Sequence, residues 1–276
     1  MKRRGILGLA TGLLLALAAC GGDDSNGGSS PDDRSPADVL VASASATRDA
    51  GTARVAIEQV TSAQGQDVTT TVEGNVDLVS GDSESIIKVE FPGYEPPFSP
   101  MRTKGLVAYI EATAFPGGAR TDARWIKIDY AAMGAQMGIN LEAFRQNGAG
   151  QLAYLSEVAD VEEVRSDTVR GVDTTHYRFT TDLAELAESG PEELRSSFEQ
   201  TIEITGSDEV PTQVWIDGDD RVRRLVTDLE MDLQGQQISQ QTTIEYYEFG
   251  VEFDVQAPPE EDTVDITELG GGGGTP

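Results

Sequence analysis

The feature that most restricts how this chain can fold is a strict two-residue alternation between positions 68 and 78. Apolar or small side chains and one threonine occupy the even positions from Val68 to Leu78. Polar side chains occupy the odd positions from Thr69 to Asp77. Because successive side chains of a β-strand point to opposite faces of the sheet, this alternation predicts an antiparallel strand with one buried face and one solvated face.

Weaker forms of the same pattern recur along the chain, separated by turns rich in Gly, Pro, Asp and Ser. They predict further strands at residues 52–61, 87–91, 106–110, 125–129, 161–169, 173–181, 210–217, 221–233 and 242–253. Ser35-Pro36 is typical of a helix start, and that helix is expected to stop near Gly51. Helical spacing predicts two short helices within 131–157 and another over 182–198, interrupted at Gly190-Pro191.

These elements predict the α+β fold class. We expect a single strongly curved antiparallel sheet, a half-barrel of about 10–11 strands, with short helices covering its concave apolar face. A hollow beneath those helices would suit an acyl chain or another lipophilic ligand, whereas the same pattern also fits a solid core. The candidate lining residues are Val55, Ile57, Val72, Val76, Val89, Leu225, Leu229 and Met231 on strands, and Met133, Met137, Leu141 and Phe144 on helices.

The N-terminus has the pattern of a bacterial lipoprotein signal peptide over residues 1–19. A basic start precedes an uncharged apolar run from Ile6 to Ala19, which is shorter than the roughly 20 residues of a membrane span. The run ends in Leu17-Ala18-Ala19-Cys20, the pattern of a lipobox. We expect a diacylglyceryl group on Cys20 and an anchor on the extracytoplasmic face of the cell membrane. The alternative is an ordinary secretory signal that happens to end in a cysteine.

Polar segments flank the predicted domain. Residues 20–34 are rich in Gly, Ser, Asn and Asp, which is typical of a flexible tether. Residues 258–276 are acidic and then Gly-rich, which predicts a disordered tail. The folded domain is therefore expected at residues 35–257.

Charge and motif content restrict the function. With 48 acidic and 20 basic residues, the net charge of −28 would repel phosphates, so no nucleic-acid partner is expected. No pattern predicts an enzyme, a cofactor or a metal site. The single histidine, His176, lies on a predicted strand and is expected to be structural. The Asp217–Asp220 segment is typical of a hairpin turn, because it lacks the remaining ligands of a calcium loop.

Several segments, taken in order, resemble the LppX/LprG family of actinobacterial envelope lipoproteins. They are the lipobox with its acidic linker, the Pro-started helix, the Trp125–Asp129 strand, the hairpin from Val161 to Tyr177, the Val210–Asp217 strand with Arg223-Arg224-Leu225, and the end from Tyr247 to Pro258. The resemblance covers most of residues 36–258. It implies a fold like that of the lipoprotein carrier LolA, in which a curved sheet and a helical lid enclose a hydrophobic cavity.

The resemblance also implies a role in handling lipids, without identifying the lipid. The first hypothesis is therefore a membrane-anchored lipoprotein that binds a lipid or lipophilic small molecule, with or without carrying it between envelope layers. Related folds also serve as sensors, so the second hypothesis is a tethered scaffold that binds another envelope protein. The first predicts a lipid that co-purifies with the chain, and the second predicts a well-packed, empty interior.

Overall fold

The computed structural model describes residues 34–93, 96–114, 122–136, 138, 140–142, 161–189, 192–233 and 236–270. Ser35–Pro276 forms one compact unit. The predicted signal peptide, Cys20 and nearly all of the predicted tether lie outside the described residues. The candidates Met137 and Phe144 also lie outside them.

The chain forms two groups of strands in succession. The first group consists of α1 (Pro36–Asp49), β1 (Thr52–Ala63), β2 (Gln66–Asp77), β3 (Ser83–Glu90), β4 (Ser99–Lys104), β5 (Val107–Glu111), β6 (Trp125–Asp129) and α2 (Tyr130–Gln136). The second consists of β7 (Glu162–Val169), β8 (Val172–Asp182), α3 (Leu183–Ser189), α4 (Glu192–Thr205), β9 (Glu209–Asp217), β10 (Val222–Leu233) and β11 (Gln236–Tyr247). The chain continues into β12 (Thr263–Asp265) and α5 (Ile266–Gly270).

All the strands belong to one 12-stranded sheet in the order β12-β6-β5-β4-β3-β2-β1-β11-β10-β9-β8-β7. Each group is a meander of antiparallel neighbours, and the two meanders join where β1 pairs with β11. The sheet is curved and does not close into a barrel. The structure therefore confirms the predicted α+β fold of one large curved, mostly antiparallel sheet with short helices.

Helix α1 begins where its sequence predicts. The Asp38 backbone N–H donates to Ser35 Oγ at 3.2 Å, and the Ser35 backbone N–H donates to the Asp38 carboxylate at 3.3 Å. This reciprocal pair satisfies donors at the helix start that have no partner within the helix, and Pro36 at the first position needs none. The buried positions Leu40, Ala44 and Thr47 recur every three or four residues, so one face of α1 packs on the sheet.

The main core lies between α1 and the central strands. Leu40 and Ala44 of α1 belong to a cluster with buried residues of β1, β8, β9, β10 and β11. A buried hydrogen bond adds to this contact, because the Val222 backbone N–H of β10 donates to Thr47 Oγ1 at 2.8 Å. These contacts hold α1 over one end of the sheet.

The sequence pattern did not reveal β4 or β12, and β11 begins earlier than predicted. β4 has the sequence SPMRTK, whose proline and polar residues hide any alternation. β11 begins at Gln236 and not at residue 242 as predicted. Its first six residues, QQISQQ, pair with β10, but they are mostly polar and therefore show no hydrophobic alternation. Thr263–Asp265 pairs in parallel with β6, so the prediction of a disordered tail is wrong for residues 258–270. A three-residue strand is too short to show a period, and its partner is distant in sequence.

Candidate ligand-binding face

One face of the sheet, which we call the inner face, is the face against which α1 packs. It carries the odd positions of β1, the even positions of β2, β9 and β11, and the odd positions of β10 from Leu225 onward, as the strand register requires. The register extends this face through the odd positions of β3 and β4 and the even positions of β5 and β6.

The register brings together all the strand residues that the sequence proposed as cavity candidates. Val55 and Ile57 lie on the inner face of β1, next to β2 and β11. The other six lie on the inner faces of neighbouring strands: Val72 and Val76 on β2, Val89 on β3, and Leu225, Leu229 and Met231 on β10.

An apolar row crosses the middle of this face. Ile57 pairs with Val72 on one side and with Ile244 on the other, and Ile244 pairs with Leu225. The row continues to Ile87 of β3 and, on the far side, to Val214 and Tyr177. Because paired side chains lie about 4.5–5.5 Å apart, the row forms a continuous apolar strip across seven strands.

The two ends of the inner face differ in how well they are covered. Val55 and Leu225 belong to the core under α1 and are 5% and 2% exposed, so this end is packed solid. At the opposite end Leu229, Met231 and Ile238 are only half-buried by the described residues. The solid-core interpretation therefore applies to the end under α1, and the described residues cover the opposite end only in part.

Helices α3 and α4 cover part of that second end. Leu186 of α3 and Leu194 and Phe198 of α4 form a buried cluster, and Val210 on the inner face of β9 packs against it. The segment after α2 is attached to α4, because the Asn140 backbone N–H donates to Ser197 Oγ at 2.9 Å.

The described helix candidates have different environments. Met133 of α2 is 41% exposed, so it does not line a buried site in the described structure. Leu141 is half-buried and borders a depression of about 280 Å³ with Ala131, Ala135 and Gly138. This depression lies next to the attachment to α4.

No charged side chain occupies an inner-face position of β1 to β6 or of β9 and β11, and none occupies one on β10 from Leu225 to Met231. On β8 the alternation places one charged residue, the exposed Asp173 at the start of the strand, on the inner face. Besides Asp173, the ionisable groups on the inner-face positions are the phenols of Tyr177 and Tyr246. Burial raises the pKa of Tyr246 to about 12, so this phenol is neutral at physiological pH.

The opposite face carries the charges. Arg102 stacks on Trp125 at 5.0 Å and Arg170 on Tyr247 at 4.1 Å, measured from the guanidinium carbon to the ring centroid. Although partial burial raises the pKa of Glu245, the hydrogen bonds from Arg224 and Arg170 bring it below its ordinary value. The outer face is therefore a surface of paired charges.

His176 lies on this outer face. Its ring stacks on Trp215 at 4.1 Å between centroids, and its Nε2 lies 3.1 Å from Gln213 Oε1. Burial lowers the pKa of His176, although the Gln213 contact raises it. The ring faces away from the inner face, so the structure gives it a packing role.

The acidic segment after β9 is a turn held by Asp217. Its Oδ1 accepts from the backbone N–H groups of Asp219 and Arg221, both at 2.9 Å, and its Oδ2 accepts from Arg223 Nε at 2.5 Å. These bonds confirm the predicted hairpin turn. Within the described part of the chain, no group of three or more His, Cys, Asp or Glu residues could hold a metal ion.

Sequence reasoning missed several residues of the inner face. Ile87 and Ile244 lie within predicted strands but are not among the predicted site residues, and Ile238 precedes the predicted start of its strand. Gln59, Thr70, Thr227, Gln240 and Thr242 also lie on the face by register. Counting positions in steps of two from Tyr246 would have found those of β11, whose polar residues otherwise conceal the strand.

No helix in the described residues is both long enough and apolar enough to cross a membrane. No protein-family model matches the chain. A Streptomyces griseus protein, described as an uncharacterised 31.2 kDa protein of the rplA-rplJ intergenic region, is 30% identical over 161 residues. That match covers 55% of this chain and 52% of the relative, so the chain spans about half the length of the curated relative it matches.

Two of the solved structures that resemble this chain come from mycobacteria. The lipoprotein LppX of Mycobacterium tuberculosis superposes with a TM-score of 0.50 at 14% identity, covering 80% of this chain and 98% of LppX. LprF from Mycobacterium bovis gives a TM-score of 0.46 at 15% identity, covering 83% of this chain and 98% of LprF. The chain therefore has the fold of the lipoprotein LppX, which confirms the predicted resemblance to the LppX/LprG family at the level of the fold.

Proposed function

We propose that this protein is a membrane-anchored lipoprotein of the cell envelope that binds a lipid or another lipophilic ligand on the inner face of its sheet. The main support for this proposal is that charged side chains lie on the outer face of the sheet and are nearly absent from the inner face. A quarter of all residues are charged, yet the inner-face positions of β1 to β6, β9 and β11, and of β10 from Leu225 to Met231, carry none. A face without charges suits apolar ligands because it imposes no cost of removing water from an ion.

The partly covered end of the inner face supplies the apolar surface for such a ligand. Leu229, Met231 and Ile238 are half-buried there, and the apolar row through Ile57 and Ile244 lies on the same face. Each methylene group of an acyl chain that leaves water for such a surface contributes about 0.8 kcal/mol. An acyl chain along this face would therefore bind through many small contributions, and a carrier function between envelope layers would use the same face.

The membrane anchor in this proposal is Cys20. Its support is the lipobox pattern that ends the apolar run, and the fold shared with a mycobacterial lipoprotein agrees with it. The proposed anchor places the folded unit on the extracytoplasmic side of the membrane. The intact mass of the chain extracted from its own envelope tests this assignment, because a diacylglyceryl group on Cys20 adds a defined mass.

The ligand is tested by native mass spectrometry and organic extraction of Ser35–Pro276, purified from its own envelope. This fragment includes β12 (Thr263–Asp265), which pairs with β6 in the sheet. We expect one lipophilic molecule per chain. Leu229→Arg should reduce loading at least about tenfold, since a cation without a partner at an apolar contact costs several kcal/mol.

Glu230→Arg is the matched control. Glu230 is the next residue on β10 and lies on the outer face, where it is exposed. The control adds the same side chain to the same strand, so it should keep the ligand. Equal loading of the two variants, both folded by circular dichroism, would show that the inner face is not the binding site. An empty wild-type chain would count against lipid binding and favour the scaffold hypothesis.

A further inference from the structure

The two edges of the 12-stranded sheet are protected against further strand pairing in different ways. At one edge β7 carries four charged side chains in eight residues, and its pairing with β8 shifts register between Glu163 and Arg165. Charges and irregular pairing at an edge discourage another strand from adding to it. At the other edge β6 carries isoleucine at both of its inner-face positions, Ile126 and Ile128, and the chain's own β12 covers it. We call Thr263–Gly270, which comprises β12 and α5, the C-terminal cover.

The C-terminal cover meets β6 in a defined register. Val264 pairs with Ile126 on the inner-face side, and Asp265 pairs with Lys127 on the outer-face side. The Asp265 carboxylate lies 3.9 Å from Lys127 Nζ. Hydrogen bonds from the Thr267 side chain and backbone lower the pKa of Asp265, and the charge of Lys127 lowers it further, so this carboxylate is ionised at neutral pH. The outer side of the β6 edge therefore accepts an acidic residue.

Apolar side chains of the C-terminal cover pack on the inner-face residues of β5 and β6. Val264, Ile266 and Leu269 are half-buried, and they contact a cluster that contains Ile110 and Ile126. When a strand adds to a sheet edge, its backbone hydrogen bonds provide affinity and its alternate side chains provide specificity. The cover thus shows which strand the β6 edge accepts, with a branched apolar residue on the inner side followed by an acidic residue on the outer side.

The attachment of the C-terminal cover leaves part of the edge unused. β12 pairs with three of the five residues of β6, and it pairs in parallel, which is slightly less stable per residue than antiparallel pairing. Helix α5 has five residues, which is too short for a helix to be stable without its contacts to the sheet. A segment that stays extended beside all five residues of β6 would add two residue pairs to those that β12 makes. Such a segment can therefore compete with the cover for the edge.

We propose that the β6 edge is a docking site for an extended segment of a different protein, which adds a strand parallel to β6 and displaces the C-terminal cover. The segment carries a branched apolar residue beside Ile126 and a carboxylate beside Lys127, as the cover does. Two copies of this chain, each with a net charge of −28, repel one another, so the segment is assigned to another protein. This inference goes beyond the proposed function and holds with or without a lipid on the inner face.

Disulfide trapping tests whether a segment docks on β6 in this register. The chain is Ser35–Pro276 with Lys127→Cys, and the probe is a peptide with the sequence of residues 259–270 and the change Asp265→Cys. Because Cys20 is the single cysteine of the protein and lies outside Ser35–Pro276, the chain then offers one thiol. In a glutathione redox buffer the peptide forms a disulfide with that thiol, and intact mass measures the rate.

Two controls separate docking from random collision. The control peptide also carries Val264→Asp and Ile266→Asp, so it keeps the thiol but loses the apolar contacts. The control chain carries Lys104→Cys instead of Lys127→Cys, at an exposed outer-face position of β4. We expect the probe to react with the Lys127→Cys chain at least about tenfold faster than the control peptide does, and at least about tenfold faster than it reacts with the control chain. Equal rates in either comparison would overturn the docking site.

Displacement of the C-terminal cover is tested in the same chain. Ile266→Ala with Leu269→Ala removes apolar contacts of the cover, so the probe should react at least about threefold faster. Glu261→Ala with Glu268→Ala is the matched control at exposed positions of the same region, and it should leave the rate unchanged. Circular dichroism checks that both variants are folded. An unchanged rate in the first variant would show that the cover does not compete for this edge, and the proposed displacement would be wrong.

The last comparison distinguishes a different protein from a second copy of this chain. A Lys127→Cys chain is mixed with an Asp265→Cys chain at the concentration used for the probe peptide. We expect these two chains to react at least about tenfold more slowly than the probe does, because each copy keeps its own C-terminal cover and the copies repel one another. Equal rates would assign the edge to a second copy and overturn the assignment to a different protein.

Discussion

The contact between Thr47 and Val222 yields the sharpest prediction about stability. Thr47 is fully buried on α1, and its Oγ1 donates to the Ser43 carbonyl at 2.7 Å. The same oxygen accepts from the Val222 backbone N–H of β10 at 2.8 Å, across 175 residues of sequence. Thr47→Val keeps the shape of the side chain but removes the acceptor, so the Val222 N–H is left buried without its partner.

The size of the effect follows from that orphaned donor. Leaving a buried donor without a partner costs about 1–3 kcal/mol, whereas losing a donated bond to a carbonyl that keeps its helical partner costs less. Thr47→Val should therefore lower the free energy of unfolding by about 1–3 kcal/mol. A loss of this size is a considerable part of the 5–15 kcal/mol that stabilises a typical domain.

The matched control is Thr201→Val on α4. The Thr201 hydroxyl also donates to the carbonyl four residues earlier, Ser197, at 2.8 Å, but the structure shows no backbone N–H donating to it. Its removal should change the free energy of unfolding by no more than about 0.5 kcal/mol. Urea unfolding of Ser35–Pro276, followed by tryptophan fluorescence, measures both variants. Equal destabilisation by the two substitutions would refute the role of the Thr47–Val222 bond in holding α1.

Two further predictions concern a strand contact and a buried ring. Gly74→Ala should lower the free energy of unfolding, measured in urea, by about 1–3 kcal/mol, because the new methyl group would lie 2.3 Å from the Glu84 carbonyl oxygen. Gly218→Ala is the control and should not destabilise the chain, since no atom lies within 4 Å of the added methyl group. Equal effects of the two substitutions would contradict the steric argument. Burial lowers the pKa of His176 in the folded chain, so the unfolded chain takes up the proton first as pH falls through about 6.5. The contribution of His176 to the free energy of unfolding is therefore complete above that pH and is lost as the pH falls further. Between about pH 7.5 and about pH 5.5, the His176→Gln variant should lose less stability than the wild type. Equal losses in the two proteins would contradict this prediction.

The fold was predictable where one strand face is solvated and the other is buried. The alternation at residues 68–78 corresponds to β2, and its even positions Val72 and Val76 lie on the inner face as expected. The start of α1 was also readable, since Ser35 and Asp38 act within one turn of the chain. Signals of this kind depend on neighbouring residues and need no knowledge of the rest of the molecule.

The candidate site was predictable only in its apolar part. All the strand candidates lie on the inner face, because hydrophobic alternation identifies the buried side of each strand. The polar residues of the inner face could not be recognised from the sequence, for the opposite reason. Thr242 and Gln240 follow the alternation in position but are polar, so they resemble solvated residues until the pairing with Gln59 and Thr61 places them on the inner face.

The sequence by itself determined the period of the strands, the start of α1, the turn at Asp217 and the separation of charged from uncharged positions. Each of these follows from contacts within a few residues or from the steric rule that side chains alternate along a strand. Only the tertiary structure decided that β1 pairs with β11, that β12 joins the sheet beside β6, and which end of the inner face α1 covers. Those features depend on hydrogen bonds and packing between residues far apart in the chain, such as Thr47 and Val222, and no local pattern specifies such partners.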